Sequence, residues 1–407
     1  MSKVVDYFLK YVAFDTQSAE DAGTVPSTEK QFALAKLLSE QLKNIGVKDV
    51  SMSEYGYVYG TIPANGDYNC QTVGFLAHMD TSPDCPDENV RPQLVKHYDG
   101  KDITLNKALG VKMTTKMFPF LKNYVGQDLI TTDGTTLLGA DDKAGIAEIM
   151  TMAEALIKEN IPHGPISIAF TPDEEVGGGT DHFNVEKFAA QFAYTLDGDT
   201  EGEIQYENFN ACKADFEITG FAVHPGSSKD TMINACLVAA EINNMLPGLE
   251  IPRETEDYEG FYHLTGMSGD VAKAELHYIV RDHDKNLFEA RKETLRHIEK
   301  NLNEKWGEGT VKLMITDQYQ NMAEIIAGCM HLIENAKKAC ENAGVAPLVL
   351  PIRGGTDGCQ LSFMGLPCPN LGTGGHAFHG PYEHITAEGM DKAVDIAVEL
   401  VKLYAEM

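Results

Sequence analysis

Five short segments gather carboxylates and imidazoles of the kind a metal-assisted hydrolysis would need. FLAHMD carries His78 and Asp80. In an extended chain residues i and i+2 face the same side, so the Asp80 carboxylate can hold the His78 ring in place. Alone, so short a pattern recurs by accident. LLGADDKAG places Asp141 and Asp142 at the start of a helical pattern. Asp is favoured as a helix cap, but one is enough, and two adjacent acids repel unless a cation is near. Cap and cation ligand both stay open. FTPDEEVGGG delivers Asp173, Glu174 and Glu175 from the end of an apolar strand into glycines that allow tight backbone geometry. Three such acids form a solvated loop in many proteins. Beside a divalent cation, the same three supply a ligand and a general base. A phosphate loop does not fit, because no GK[ST] follows the glycines. YTLDGD ends a strand on Asp197, and GTGGHAFHGPYE sets His376, His379 and Glu383 in a glycine-rich loop.

The elements around these segments explain how they could meet. Residues 29–45 and 143–158 carry apolar residues at helical spacing. Residues 72–77, 165–170 and 192–197 read as short buried strands, each with polar residues at its end. Strands alternating with helices imply an α/β domain with a mostly parallel sheet and helices on both faces. Polar residues beyond the carboxyl ends of such strands are where an open α/β sheet places its site. Near residue 209 the pattern changes to strand, helix, two strands, helix, strand. That order is the ferredoxin-like α+β unit. From about 321 the α/β pattern returns and ends in the helix AEGMDKAVDIAVELVKLY. The expected organisation is a first part of the large domain over 1–208, an inserted domain over 209–320, and the rest of the large domain over 321–407.

Composition narrows the class. The chain has 407 residues, 43% hydrophobic and 23% charged, enough for two domains and a large core. A net charge of −28 opposes binding to phosphate backbones, so no nucleic-acid partner is expected. No run of eighteen apolar residues is present, so no membrane partner is expected. The opening MSKVVDYFLKYVAFDTQ reads as an amphipathic helix rather than a signal peptide, which points to the cytoplasm. Eight scattered cysteines, with no CxxC pair, read as reduced and mostly buried thiols.

In their order along the chain, HMD, GADDKAG, TPDEEVGG, TLDGD and GGHAFHGPYE resemble the peptidase T family of tripeptide aminopeptidases. That family lies in the dizinc exopeptidase and deacylase clan with carboxypeptidase G and aminoacylase. FAVHPG at 221–226 and RGGTDG at 353–358 also look like family segments. The resemblance implies a zinc-exopeptidase-like catalytic domain with an inserted lid. It implies two Zn²⁺ ions, with Co²⁺ or Mn²⁺ able to substitute. Asp141 would bridge them, with His78 and Asp197 on one ion and Glu175 and His379 on the other. Asp80 would orient His78, Glu174 would be the general base, and the Asp141–Asp142 peptide would be cis. His224 looks like the family's oxyanion histidine, acting in its own or a neighbouring subunit of a homodimer joined through the lid. Arg353, and after it Arg281, looks like a clamp for a substrate carboxylate, since guanidinium binds carboxylate bidentately. The activity implied is removal of the N-terminal residue from short peptides with a free N-terminus, tripeptides first. Dipeptidases, carboxypeptidase-like enzymes and N-acyl amino acid deacylases share such a metal centre. A noncatalytic binding protein on a retired hydrolase scaffold need not keep Glu174.

Overall fold

A computed structural model describes residues 1–406. The chain divides into two compact units. The first comprises 1–206, 324–350 and the chain from 356 onward; the second comprises 207–323 with 351–355. The second unit therefore begins and ends within three residues of the 209–320 expected from pattern, and adds one segment that pattern did not assign to it. Ile352 explains the addition: its N–H donates to Glu207 O at 2.7 Å, and it bridges Asn208 in parallel, which ties 351–355 to the start of that unit.

The first unit is built on an eight-stranded sheet. Its centre is parallel: Ile166–Thr171, Val73–His78, Phe192–Gly198 and Asn370–Gly372 lie side by side in that order. Antiparallel pairings flank it, at Lys48–Met52 with Val58–Ile62, at Val58–Ile62 with Ile166–Thr171, and at Glu203–Gln205 with Asn370–Gly372. The sheet is thus mixed: its core is parallel, and so is the outermost pairing of Glu203–Gln205 with Leu348–Val349. The central strands are apolar throughout because both faces are covered. On one face Leu76, Ala169 and Ala193 pack with Phe188 and Leu361. On the other, Phe75 stacks on Tyr194, whose hydroxyl hydrogen-bonds that of Tyr404 in the C-terminal helix Ala387–Ala405. Helix Ala140–Lys158 packs against the Val73–His78 and Phe192–Gly198 strands. Close approach is allowed by Gly145, where a Cβ would come within 2.0 Å of Leu196 O. A second, small sheet joins Gly375–His376, His384–Thr386, Leu129–Thr131 and Gln93–Val95, and it holds both ends of the loop carrying His379.

The second unit has the strand order second, third, first, fourth: Phe261–Gly269, Lys273–Asp282, Asn210–Thr219, Val311–Tyr319, all antiparallel. Helices Ala235–Met245 and Lys285–Trp306 supply Val238, Ala239, Ile242, Leu295, Ile298 and Leu302 to its core. The opposite sheet face is polar, with His277 Nδ1 2.6 Å from Asp215 Oδ1 on the neighbouring strand. That alternation is the signature of an antiparallel sheet covered on one side only.

All eight cysteines are free thiols; four are buried and four partly exposed, so "mostly buried" overstates their burial. No helix among the described residues is long and apolar enough to cross a membrane.

Candidate metal centre

The carboxyl ends of the parallel strands carry the first unit's site. His78 is the last residue of its strand, Asp173–Glu175 follow the Ile166–Thr171 strand, and Asp197 lies at the end of Phe192–Gly198. Asp141 enters from the start of helix Ala140–Lys158, and His379 from the loop between Gly375–His376 and His384–Thr386. Two groups of three ligand-type side chains result, each within 4.8 Å: His78, Asp141 and Asp197, and Asp141, Glu175 and His379. The two Asp141 oxygens face opposite ways. Oδ1 lies 2.8 Å from His78 Nε2, and Oδ2 lies 3.2 Å from His379 Nε2. His78 Nε2 is 3.5 Å from Asp197 Oδ1, and His379 Nε2 is 3.0 Å from Glu175 Oε2.

Each element of this arrangement is held by a neighbour. His78 Nδ1 lies 3.1 Å from the Asp80 main-chain carbonyl and 3.4 Å from Asp80 Oδ1. The Asp80 carboxylate also accepts the N–H groups of Glu174 and Glu175, at 3.0 and 3.1 Å. One residue thus fixes an imidazole and the turn bearing two further acids. The Asp141–Asp142 peptide is cis. The two neighbours divide their work: Asp142 accepts the N–H of His78 at 3.1 Å and of Gly145 at 3.2 Å, while Asp141 faces the two imidazoles.

The three acids at 173–175 divide in the same way. Asp173 is buried and bound by Ser27 and by Gln31 Nε2, the latter at 2.6 Å, so it anchors the loop to the N-terminal segment. Glu174 and Glu175 form one 3₁₀ turn, closed by Gly177 at φ +76°, a conformation that glycine adopts without a Cβ penalty.

The electrostatics follow from five carboxylates, Asp80, Asp141, Glu174, Glu175 and Asp197, crowding two imidazoles. Burial lowers the pKa of His78, but hydrogen bonds to Asp141, Asp197 and Asp80 outweigh it and hold the ring well above its ordinary value. His379 is pushed up to about 11 against burial by Asp141 and Glu175. Burial and then the Asp197 charge push Glu174 well up, and burial and the Asp141 charge push Glu175 up to about 8. Two imidazoles cannot neutralise so many acids, and Glu175 Oε1 is buried without a hydrogen-bond partner among the described residues. The surplus of buried anionic oxygen, in mixed N/O sets, fits divalent cations.

Two residues carry structural work that sequence reasoning did not assign. Glu383 accepts the N–H groups of Leu138, Gly139 and Asp141 at 2.6, 2.9 and 3.1 Å, and so holds the Asp141 turn. Its place in the quoted motif was its only signal. Asp84, in TSPDC, lies with Oδ2 3.4 Å from His379 Nδ1, and nothing in its spacing marked it. His376 belongs to neither ligand group, and its Nε2 lies 2.5 Å from the Tyr124 hydroxyl. It is buried beside Phe120, Tyr124 and His384, and burial with the His384 ring pushes it down to about 3.

The other expected residues lie in the second unit. His224 is exposed, and its Nδ1 accepts the N–H of Gly226 at 3.1 Å. Arg353 does not present the free guanidinium fork expected of a carboxylate clamp. Its two terminal nitrogens donate to the carbonyls of Asp257, Glu259 and Thr255 and to the Thr255 hydroxyl, and the group lies over Phe209 and Phe261. Arg281 is less committed: Nη1 donates to Arg353 O at 3.1 Å, and Nε is buried without a hydrogen-bond partner among the described residues.

Residues 134–403 match the model of peptidase family M20/M25/M40. The chain is 54% identical over 407 residues to peptidase T of Clostridium novyi (strain NT), with all of both chains covered. It is equally similar, at 54% over 407 residues and full coverage of both, to peptidase T of Caldanaerobacter subterraneus subsp. tengcongensis. Among solved structures, aminopeptidase PepT from Bacillus cereus ATCC 10987 superposes with a TM-score of 0.78 at 25% identity, covering 99% of this chain and 98% of that one. The Bacillus subtilis YXEP protein, a dinuclear metal-binding peptidase from the M20 family, gives 0.67 at 13% identity, covering 99% and 98%, a likeness of fold. By this full-length match and by the motifs at its strand ends, the chain belongs to peptidase family M20/M25/M40.

Proposed function

We propose that this chain is a cytoplasmic two-zinc aminopeptidase that removes the N-terminal residue from short peptides, tripeptides first. One observation carries the metal reading: Asp141 belongs to both ligand groups and turns one oxygen to each. His78 and Asp197 would complete one ion's protein ligands, and Glu175 and His379 the other's. Zn²⁺ suits the mixed imidazole and carboxylate sets, with Co²⁺ or Mn²⁺ able to substitute. Bound there, the ions would lower the pKa of water and polarise the peptide carbonyl.

The remaining chemistry belongs to the chain's own side chains. Glu174 lies beside the ligand Glu175 with no metal role of its own, which leaves its carboxylate free to take a proton and then give it to the leaving amine. Asp80 keeps His78 and the Glu174 turn in register. The surrounding carboxylates favour the ammonium of a free N-terminus. In the lid, His224 would stabilise the oxyanion. Arg281, with an unspent Nε–H, is the better reader of the peptide's C-terminal carboxylate than Arg353. A homodimer through the lid fits the family expectation for His224.

A panel of di-, tri- and tetrapeptides with free and blocked N-termini, run with metal analysis of the same sample, tests the reading. Chelation should abolish turnover, Zn²⁺ should restore it, and blocked peptides should not be cut. Full activity in rigorously metal-free protein would sink it.

A further inference from the structure

We propose that Asp84 is the positioning residue for His379, and that the ion held by Asp141, Glu175 and His379 is the weaker and more exchangeable of the pair. This rests on the two-metal reading above. Metal-ligating histidines commonly donate their second ring N–H to a carboxylate or carbonyl, which fixes the tautomer and the ring plane. At His78 that partner is Asp80, and both side chains are buried, 2% and 0% exposed. At His379, Nε2 faces the ligand oxygens of Asp141 and Glu175, which leaves Nδ1 as the non-ligating nitrogen. Nδ1 lies 3.4 Å from Asp84 Oδ2, and here the side chains are 41% and 71% exposed.

The Asp84 loop is held on both sides of that residue. Gln17 Nε2 donates to Ser82 O and Cys85 O at 3.2 and 2.9 Å, and the Asp84 N–H donates to Ser82 Oγ at 3.2 Å. Beyond it, Asp87 is pinned by the Thr81 hydroxyl at 2.7 Å and the Thr16 N–H at 2.9 Å. The Asp84 backbone is therefore held within reach of His379, while its carboxylate stays exposed. Its exposure sets the strength of the effect, because water screens an exposed pair and competes for both partners. A buried orienting pair on one ion and an exposed pair on the other give two unequal sites.

The experiment is a titration of the full-length apo protein with Zn²⁺ against a chromophoric chelator, resolving two binding steps. In wild type the second step should be weaker than the first. Asp84→Ala should weaken that second step by about tenfold, the lower end for loss of such a partner, and leave the first unchanged. Asp84→Asn keeps an oxygen that can accept from Nδ1–H and should recover much of the loss. Gln17→Ala, which frees the loop, should shift the second step in the same direction. Unchanged binding in Asp84→Ala, or equal weakening of both steps, overturns the assignment to Asp84 while leaving the two-metal reading intact. Wild-type uptake of fewer than two ions overturns both.

Discussion

The carboxylates of the first unit and the arginines of the second are charged groups treated in opposite ways. Around Asp141 the protein buries more anionic oxygen than it can pair, down to an orphaned Glu175 Oε1. Around Arg353 it does the reverse and spends both terminal nitrogens on its own carbonyls and a hydroxyl. The arginine that the fold satisfies serves the fold; the clustered carboxylates left in excess are suited to a cation from outside. Arg281 stands between, with one donor used and a buried Nε–H unspent.

Replacement at the metal centre should break this contrast most severely. Asp141→Ala removes the oxygens common to both groups, so bound metal should fall from about two ions per chain to near none, taking turnover with it. Retention of two ions would mean that Asp141 is not the bridge. Glu174→Gln keeps shape but cannot accept a proton. Its kcat should fall roughly 10²–10⁴-fold while metal content stays at the wild-type value, a split visible by assay and elemental analysis together.

Smaller effects separate the arginines. C-terminal amidation of a tripeptide should cost wild type more than about tenfold in kcat/KM, equivalent to about 1.4 kcal/mol, as expected for a charged hydrogen bond. In Arg281→Ala the acid and the amide should become nearly equal. Arg353→Ala should keep the discrimination and instead lose about 1–3 kcal/mol of stability, read as a lower Tm. If Arg353→Ala abolishes the discrimination and Arg281→Ala does not, the two roles are reversed.

The smallest effect on turnover is expected at Glu148, a buried acid outside the metal groups, with no partner at either carboxylate oxygen among the described residues. Burial, and then the Glu201 charge, raise its pKa well above the ordinary 4.5. The folded chain then keeps a proton that the unfolded chain releases above pH 4.5, so this group lowers stability progressively as pH rises past that value. Glu148→Gln resembles the protonated form. It should match wild-type Tm below pH 4.5, exceed it at pH 8, and leave kcat unchanged. A lower Tm at pH 8 would show that the carboxylate has a cationic partner.

Much of the site was legible because its residues sit where local pattern changes. Apolar strands ending in His78, Asp173–Glu175 and Asp197 announce both a parallel sheet and the edge where its polar residues gather. The order of strands and helices after residue 209 likewise gave the ferredoxin-like topology, since that order follows from local periodicity. Division of labour between neighbours was legible only through the family resemblance, not from residue type or spacing. Asp141 and Asp142 are the same residue type side by side, as are Glu174 and Glu175, so without that resemblance only packing tells which faces the imidazoles.

By itself, then, the sequence determined which residues could do chemistry, and roughly where the chain turns between elements, because side-chain type and hydrophobic period are local properties. Tertiary structure alone decided that antiparallel pairings flank the sheet's parallel core, that segment 351–355 joins the second unit, and that His376 packs among aromatic rings while His379 faces the carboxylates. It also decided that Arg353 is bound to its own backbone and that Asp84 stands beside His379. Each of these depends on partners far away in the chain, and the distance between such partners is set by packing rather than by spacing in sequence.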